Sequence, residues 1–235
     1  MHTLRLFVFQ ATRHHRHYNF SSQFHPLLPY FHYNSGLFCE FAMTKFALIA
    51  LLSLPMFFAT AAERLTFSLN RLQNGDAVTV SEADFADKFL LIAVGFTGCP
   101  DICPTTMLDY KNALKALDKH PQQAKKLQPL FITIDPLSDS LQDINDYAAF
   151  FDPRIVGLRA ENFEKLDDVV SQLHASYGYI YKGKPVFPPD LPKGYTVMHS
   201  AYIYLYSPGG ELLDVFPYNM DGDTLASNIL SYLSK

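Results

Sequence analysis

The sequence predicts an α/β fold: a mixed sheet flanked by helices. Three observations carry that expectation. The unbroken apolar run FLLIAVGF at 89–96 and the largely apolar LFITI at 130–134 have strand length and suit strands buried on both faces. Segments between and after them repeat their apolar residues at helical spacing. Towards the C-terminus, an alternating segment and an apolar one flank the turn Ser207-Pro208-Gly209-Gly210, a hairpin signal.

The elements follow in order. Phe89–Phe96 is a central strand, and Gly98, Pro100 and Pro104 punctuate the loop after it. Met107, Tyr110, Leu114 and Leu117 then share one helical face, with Pro104 in the first turn, where its missing N–H costs nothing. Leu130–Ile134 is a second buried strand, closed by Asp135-Pro136. Leu141, Ile144, Ala148 and Phe151 mark a second helix, and Ile155–Leu158 a short strand. Phe163, Leu166, Val170 and Leu173 mark a third helix, with Asn162 as its N-cap. From Gly178 to Tyr195 the prolines 185, 188, 189 and 192 imply a long ordered loop, or one holding a small hairpin. Ala201, Ile203 and Leu205 alternate with Tyr202, Tyr204 and Tyr206, and Leu212–Phe216 returns as the hairpin partner. Leu225, Ile229 and Leu233 give a terminal helix. Strands alternating with helices imply right-handed parallel crossovers, and the closing hairpin makes the sheet mixed. This is the thioredoxin-like plan, with an inserted helix and strand and a C-terminal β-hairpin. No internal repeat or second domain is visible.

Composition narrows the classes. The 235-residue chain is 49% hydrophobic and 18% charged, with a net charge of -4, which is globular and carries no nucleic-acid footprint. P-loop, GxGxxG and HExxH patterns are absent. Residues 1–42 are rich in His, Phe and Tyr and nearly free of acid. They precede Met43-Thr44-Lys45, an apolar run from Phe46 to Ala59, and Ala59-Thr60-Ala61. A short basic start, an apolar stretch and an A-x-A site read as a secretory signal peptide over 43–61. The alternative is an uncleaved membrane anchor, since the run to Ala62 falls just short of the roughly 18–20 residues of a spanning helix. No cysteine follows it, which argues against a lipoprotein. An export signal belongs at a chain's start, so Met43 is read as the true initiator and 1–42 as an upstream extension, its histidines carrying no metal role. Cleavage after Ala61 leaves a 62–235 domain with 15 Lys/Arg, 22 Asp/Glu and a net charge of -7. Cys39 is lost and only Cys99 and Cys103 remain, a pair suited to a disulfide, a redox couple or metal ligands.

Those cysteines lie between a buried strand and a helix start. Ligands of open α/β sheets bind beyond strand C-termini, and a helix N-terminus stabilises anions. Two activated sulfurs of lowered pKa are therefore expected. Pro100, Asp101 and Ile102 separate them by about one helical turn, so both can converge on one centre or form a disulfide. Of the three remaining histidines, His120 precedes Pro121 and reads as solvated, and His174 at the end of the third helix as structural. His199 enters a buried strand whose end lies near the cysteine loop in a thioredoxin-like sheet. Two thiolates and an imidazole are a soft set that selects Cu(I) and also holds Cu(II) with a weak further ligand. Structural zinc prefers four protein ligands, though Asp101 or Asp135 offers an oxygen. Iron–sulfur clusters want four cysteines. Met198, one residue away on a strand, points to the opposite face and reads as packing.

The run GFTGCPDICPTTM resembles the signature of the Sco/SenC/PrrC family, and YTVMHSAYIYL at 195–205 resembles its second motif; the similarity runs from Leu65 to the C-terminus. The resemblance implies an exported thioredoxin fold that binds copper through Cys99, Cys103 and His199. It further implies delivery of copper to the CuA centre of cytochrome c oxidase, or thiol chemistry that prepares that centre. The partner would be the CuA-bearing subunit or another copper chaperone. The place would be the periplasm, free or tethered to the inner membrane, or an equivalent compartment. Two departures stand out. Met198 replaces a frequent acidic residue, and Leu137-Ser138-Asp139-Ser140 follows Asp135-Pro136 where the family often has Arg-Asp-Thr. The competing function is a thiol–disulfide oxidoreductase cycling Cys99 and Cys103. A thioredoxin-fold peroxidase fits less, because the Pro-x-x-x-Thr-x-x-Cys pattern is missing.

Overall fold

The computed structural model describes residues 63–235. The extension 1–42, Cys39 and the export segment 43–61 lie outside the described residues. The central sheet has five strands in the order β10-β9-β3-β4-β5. Strands β3 (Phe89–Gly95), β4 (Leu127–Thr133) and β5 (Val156–Leu158) are parallel. The hairpin of β9 (Tyr202–Tyr206) and β10 (Leu212–Pro217) joins β3 antiparallel, so the sheet is mixed as expected.

The unbroken apolar run of β3 has a direct cause. Leu90, Ile92 and Val94 enter one core cluster, and Leu91 and Ala93 enter the other. Side chains alternate across a strand, so a strand covered on both sides has no polar face. One layer holds α1 (Ile102–Leu117), α2 (Leu141–Phe151) and α4 (Gly222–Leu233). The other holds α3 (Phe163–Gln172) and the smaller strands. Tyr204 and Tyr206 are buried with Ile203 and Leu205, so β9 too is covered on both faces and its alternation of residue types marks two apolar layers. Asn162 caps α3 by accepting from the Lys165 N–H at 3.0 Å.

Two parts differ from the expectation. Residues 63–88, for which no element is predicted, include a hairpin of β1 (Ser68–Gln73) and β2 (Asp76–Ser81). Its turn is Asn74-Gly75 with φ 55° and 90°, a left-handed pair that Asn-Gly adopts readily. The proline-bearing stretch holds a small hairpin, one of its two expected forms, and goes beyond it with a further strand. Strands β6 (Tyr177–Tyr181) and β7 (Lys184–Val186) form its hairpin, and β8 (Thr196–His199) pairs with β6 to make a second sheet, β7-β6-β8. This second sheet carries His199.

Candidate metal centre

Three elements converge at the C-terminal end of β3. Cys99 sits in the loop between β3 and α1, Cys103 is the second residue of α1, and His199 ends β8 opposite Tyr177 of β6. Their ligand atoms all lie within 4.8 Å of one another, the sole such His/Cys/Asp/Glu group among the described residues. Both cysteines are free thiols. The Cys103 Sγ and His199 Nε2 are 3.3 Å apart. On the other side of the ring, Nδ1 is 3.0 Å from the Ser200 carbonyl oxygen. A proton on Nδ1 donated to that carbonyl leaves the Nε2 lone pair facing the sulfurs, the usual orienting device for a metal-binding imidazole. Burial lowers the His199 pKa, against the Ser200 bond, which favours the neutral ring a metal requires.

The two sulfurs are in different environments. Asp101, the N-cap residue of α1, makes no side-chain cap bond. Instead the Cys99 Sγ accepts from the Cys103 N–H at 3.4 Å, placing this sulfur against the free amides of the helix start. The Cys103 side chain turns inward and is 3% exposed. Burial pushes its thiol far above the usual range, and the neighbouring Cys99 adds to the rise. The expectation of two lowered thiols therefore fails at Cys103: lost hydration outweighs the Phe96 backbone hydrogen bond that acts to lower it. Gly95 makes room for it, since a Cβ there would lie 3.0 Å from the Cys103 Sγ and 3.0 Å from the Phe131 ring. The Phe96 ring packs edge-on to His199 at 6.1 Å.

The remaining sequence candidates lie apart. His120 is exposed. His174 is also exposed, at φ 51°, and closes α3: its N–H donates to Ser171 O and the Ala175 N–H to Val170 O. That is a Schellman termination with histidine in the place glycine usually takes, in keeping with a structural role. Met198 does turn away from the site, but it is 54% exposed and so is not packed in the core as expected. Neither Asp101 nor Asp135 joins the donor cluster; Asp135 accepts from the Tyr195 hydroxyl at 2.6 Å. What the sequence reading missed is the surround: Gly95, the Phe96 wall, and a cleft of about 480 Å³ beside the cysteine loop reaching Tyr195 and Asp139. Only the strand-end glycine left a sequence signal, in Gly95 closing an otherwise bulky run.

A thioredoxin-like sheet with two sulfurs and one imidazole converging at a strand end defines a class of thiol or metal proteins. Residues 61–234 match the family model SCO1/SenC, and the chain belongs to that family. It is 34% identical over 153 residues to "Protein sco1" of Schizosaccharomyces pombe, covering 65% of this chain and 55% of that protein. It is 33% identical over 156 residues to "Protein SCO1 homolog, mitochondrial" of Homo sapiens, covering 65% of this chain and 48% of that one. The chain thus spans about half the length of these relatives. Among solved structures it is similar to yeast Sco1 with copper bound, at TM-score 0.62 and 28% identity, covering 74% of this chain and 90% of that one. Arabidopsis thaliana ScoI with copper bound gives TM-score 0.61 and 26% identity, covering 73% and 98%.

Proposed function

We propose that this protein carries copper on Cys99, Cys103 and His199 and delivers it for cytochrome c oxidase assembly, with the CuA-bearing subunit as acceptor. The observation that carries the reading is the donor set itself: two sulfurs and the Nε2 of an oriented imidazole within 4.8 Å. Two thiolates and an imidazole suit both Cu(I) and Cu(II), and similarity to two copper-bound Sco proteins supports the metal. Copper is cargo here. Three protein donors leave room for an incoming ligand, so the ion can pass by stepwise exchange of donors. The thiols must be reduced to load, because joining the two sulfurs removes two protons and two electrons and both metal-binding thiolates. The same pair also serves a thiol–disulfide role, supported by the two free thiols lying so close. The N-terminal reading, export through 43–61 to a periplasmic or equivalent compartment, belongs to this proposal.

His199 separates the two roles. Simple dithiol chemistry needs only sulfur, whereas Cu(II) needs the imidazole. His199→Ala is expected to keep the fold and a reversible disulfide and to lose most of the thiolate-to-Cu(II) absorption. His174→Gly, which suits the left-handed backbone there, should leave the spectrum unchanged. A wild-type spectrum in His199→Ala would refute the ligand assignment, and a wild type that binds no copper would leave the oxidoreductase role.

A further inference from the structure

The loop that carries Cys99 is short of anchors. Within residues 96–101, Cys99 donates its N–H to Phe96 O at 3.3 Å, a turn internal to the loop. Cys99 Sγ accepts from Cys103 and Asp101 O from Thr105, both bonds to the helix that follows directly. The hydrogen bonds that tie the loop to a distant part of the described chain come from Thr97, two residues before Cys99. The Thr97 N–H donates to Asp139 Oδ2 at 3.0 Å and its hydroxyl to Asp139 Oδ1 at 2.5 Å. Asp139 is in turn held by the last residue of β4, whose Thr133 hydroxyl donates to Oδ2 at 2.5 Å. The Asp139 N–H donates to Asp135 O at 2.9 Å.

This carboxylate sits in an unfavourable place for a charge. Asp139 is 3% exposed, and no ion pair with Lys, Arg or His involves it among the described residues. A buried carboxylate without a cation costs stability relative to an apolar side chain of similar size, so stability gives no reason for it. The three hydrogen bonds it accepts do give one. They fix the first residues of the cysteine loop to β4, the strand next to β3 in the sheet. We propose that Asp139 is a positioning residue of the copper site: through Thr97 it sets where the Cys99 sulfur stands relative to Cys103 and His199. This rests on the copper reading above.

Variants at the two ends of the bond distinguish placing from charge. Asp139→Asn can retain all three contacts. Its carbonyl oxygen accepts from the Thr97 N–H and the Thr133 hydroxyl, and its amide donates to a Thr97 hydroxyl that has rotated to accept. Asp139→Ala removes all three. Thr97→Val removes one, at a half-buried loop position outside the core, so it tests the idea even if Asp139→Ala does not fold. The full chain is reduced, titrated with Cu(II) against a competing chelator, and separately equilibrated in glutathione buffers without copper. Its melting temperature is recorded. Removing a group that orients a metal ligand typically weakens binding about 10–100-fold. Asp139→Ala should fall in that range, Thr97→Val should weaken binding about tenfold, and Asp139→Asn should stay within about threefold of wild type. The Cys99–Cys103 disulfide equilibrium should shift in the first two and not in the third.

If folded Asp139→Ala and Thr97→Val bind Cu(II) as wild type does, the proposal is overturned. If Asp139→Asn is as weak as Asp139→Ala, the charge matters and not the placing, which also overturns it. If the wild type binds no Cu(II), the copper reading itself has failed. The glutathione equilibrium then decides alone: a shift in Thr97→Val upholds the positioning role, and no shift removes it.

Discussion

Asp135, just past the end of β4, is 3% exposed, and its carbonyl accepts from the N–H of a second buried acid, Asp139. Burial pushes its pKa up, against the hydroxyl bond from Tyr195, and the Asp139 charge adds to the rise. A raised carboxyl pKa means that the folded chain holds this proton more tightly than the unfolded one. The contribution to stability is fully present below the unfolded value of about 3.9 and is lost as pH rises through the folded value. Asp135→Asn keeps an oxygen for Tyr195 and has no charge to bury. Its melting temperature should therefore exceed that of the wild type at neutral pH, and the gap should shrink towards about pH 4. A gap independent of pH would show that Asp135 ionises without cost. None of this was readable from Asp135-Pro136 as a chain motif, which says only that a strand ends there. The three candidate donor side chains, by contrast, stand out as residue types, because residues 62–235 hold only two cysteines and three histidines.

At the scale of elements, β3 was plain in the sequence and β8 was not. A run that is apolar on every residue has one stable home in an α/β protein, a strand between two layers, and β3 occupies it with Ile92 fully buried. Ile92→Asp would place an unpaired charge in the core. It is expected to cost several kcal/mol and to prevent folding, seen as loss of the cooperative melt. Melting within a few degrees of wild type would contradict the placement. Strand β8 hid because its four residues follow a proline-rich stretch and only Val197 among them is buried. It is a strand by virtue of pairing with β6, and pairing between segments some twenty residues apart leaves no periodic trace. The β1–β2 hairpin illustrates the opposite miss: Asn74-Gly75 is a strong turn signal, but β2 is exposed along most of its length and so lacks the alternation that would have flagged it.

For the whole molecule, the proposed export route makes a direct prediction. Mass spectrometry of the native protein should find no peptide from before Met43, and a mature N-terminus at Ala62 if the segment is cleaved; peptides from 1–42 would refute the initiator assignment. The order of the central-sheet strands and the helices between them, the two-sided burial of that sheet and the three candidate donors could all be read from the chain. They depend on local periodicity and on residue chemistry, which a sequence carries residue by residue. The inward turn of Cys103, the seating of His199 on a second small sheet and the Asp139 anchor to Thr97 could not. Each depends on segments far apart in sequence meeting in space, such as positions 97 with 139 and 103 with 199. Burial then changes the chemistry of the groups that meet: at Cys103 the lost hydration outweighs the Phe96 backbone hydrogen bond, a balance that exists only once the core has closed around the sulfur.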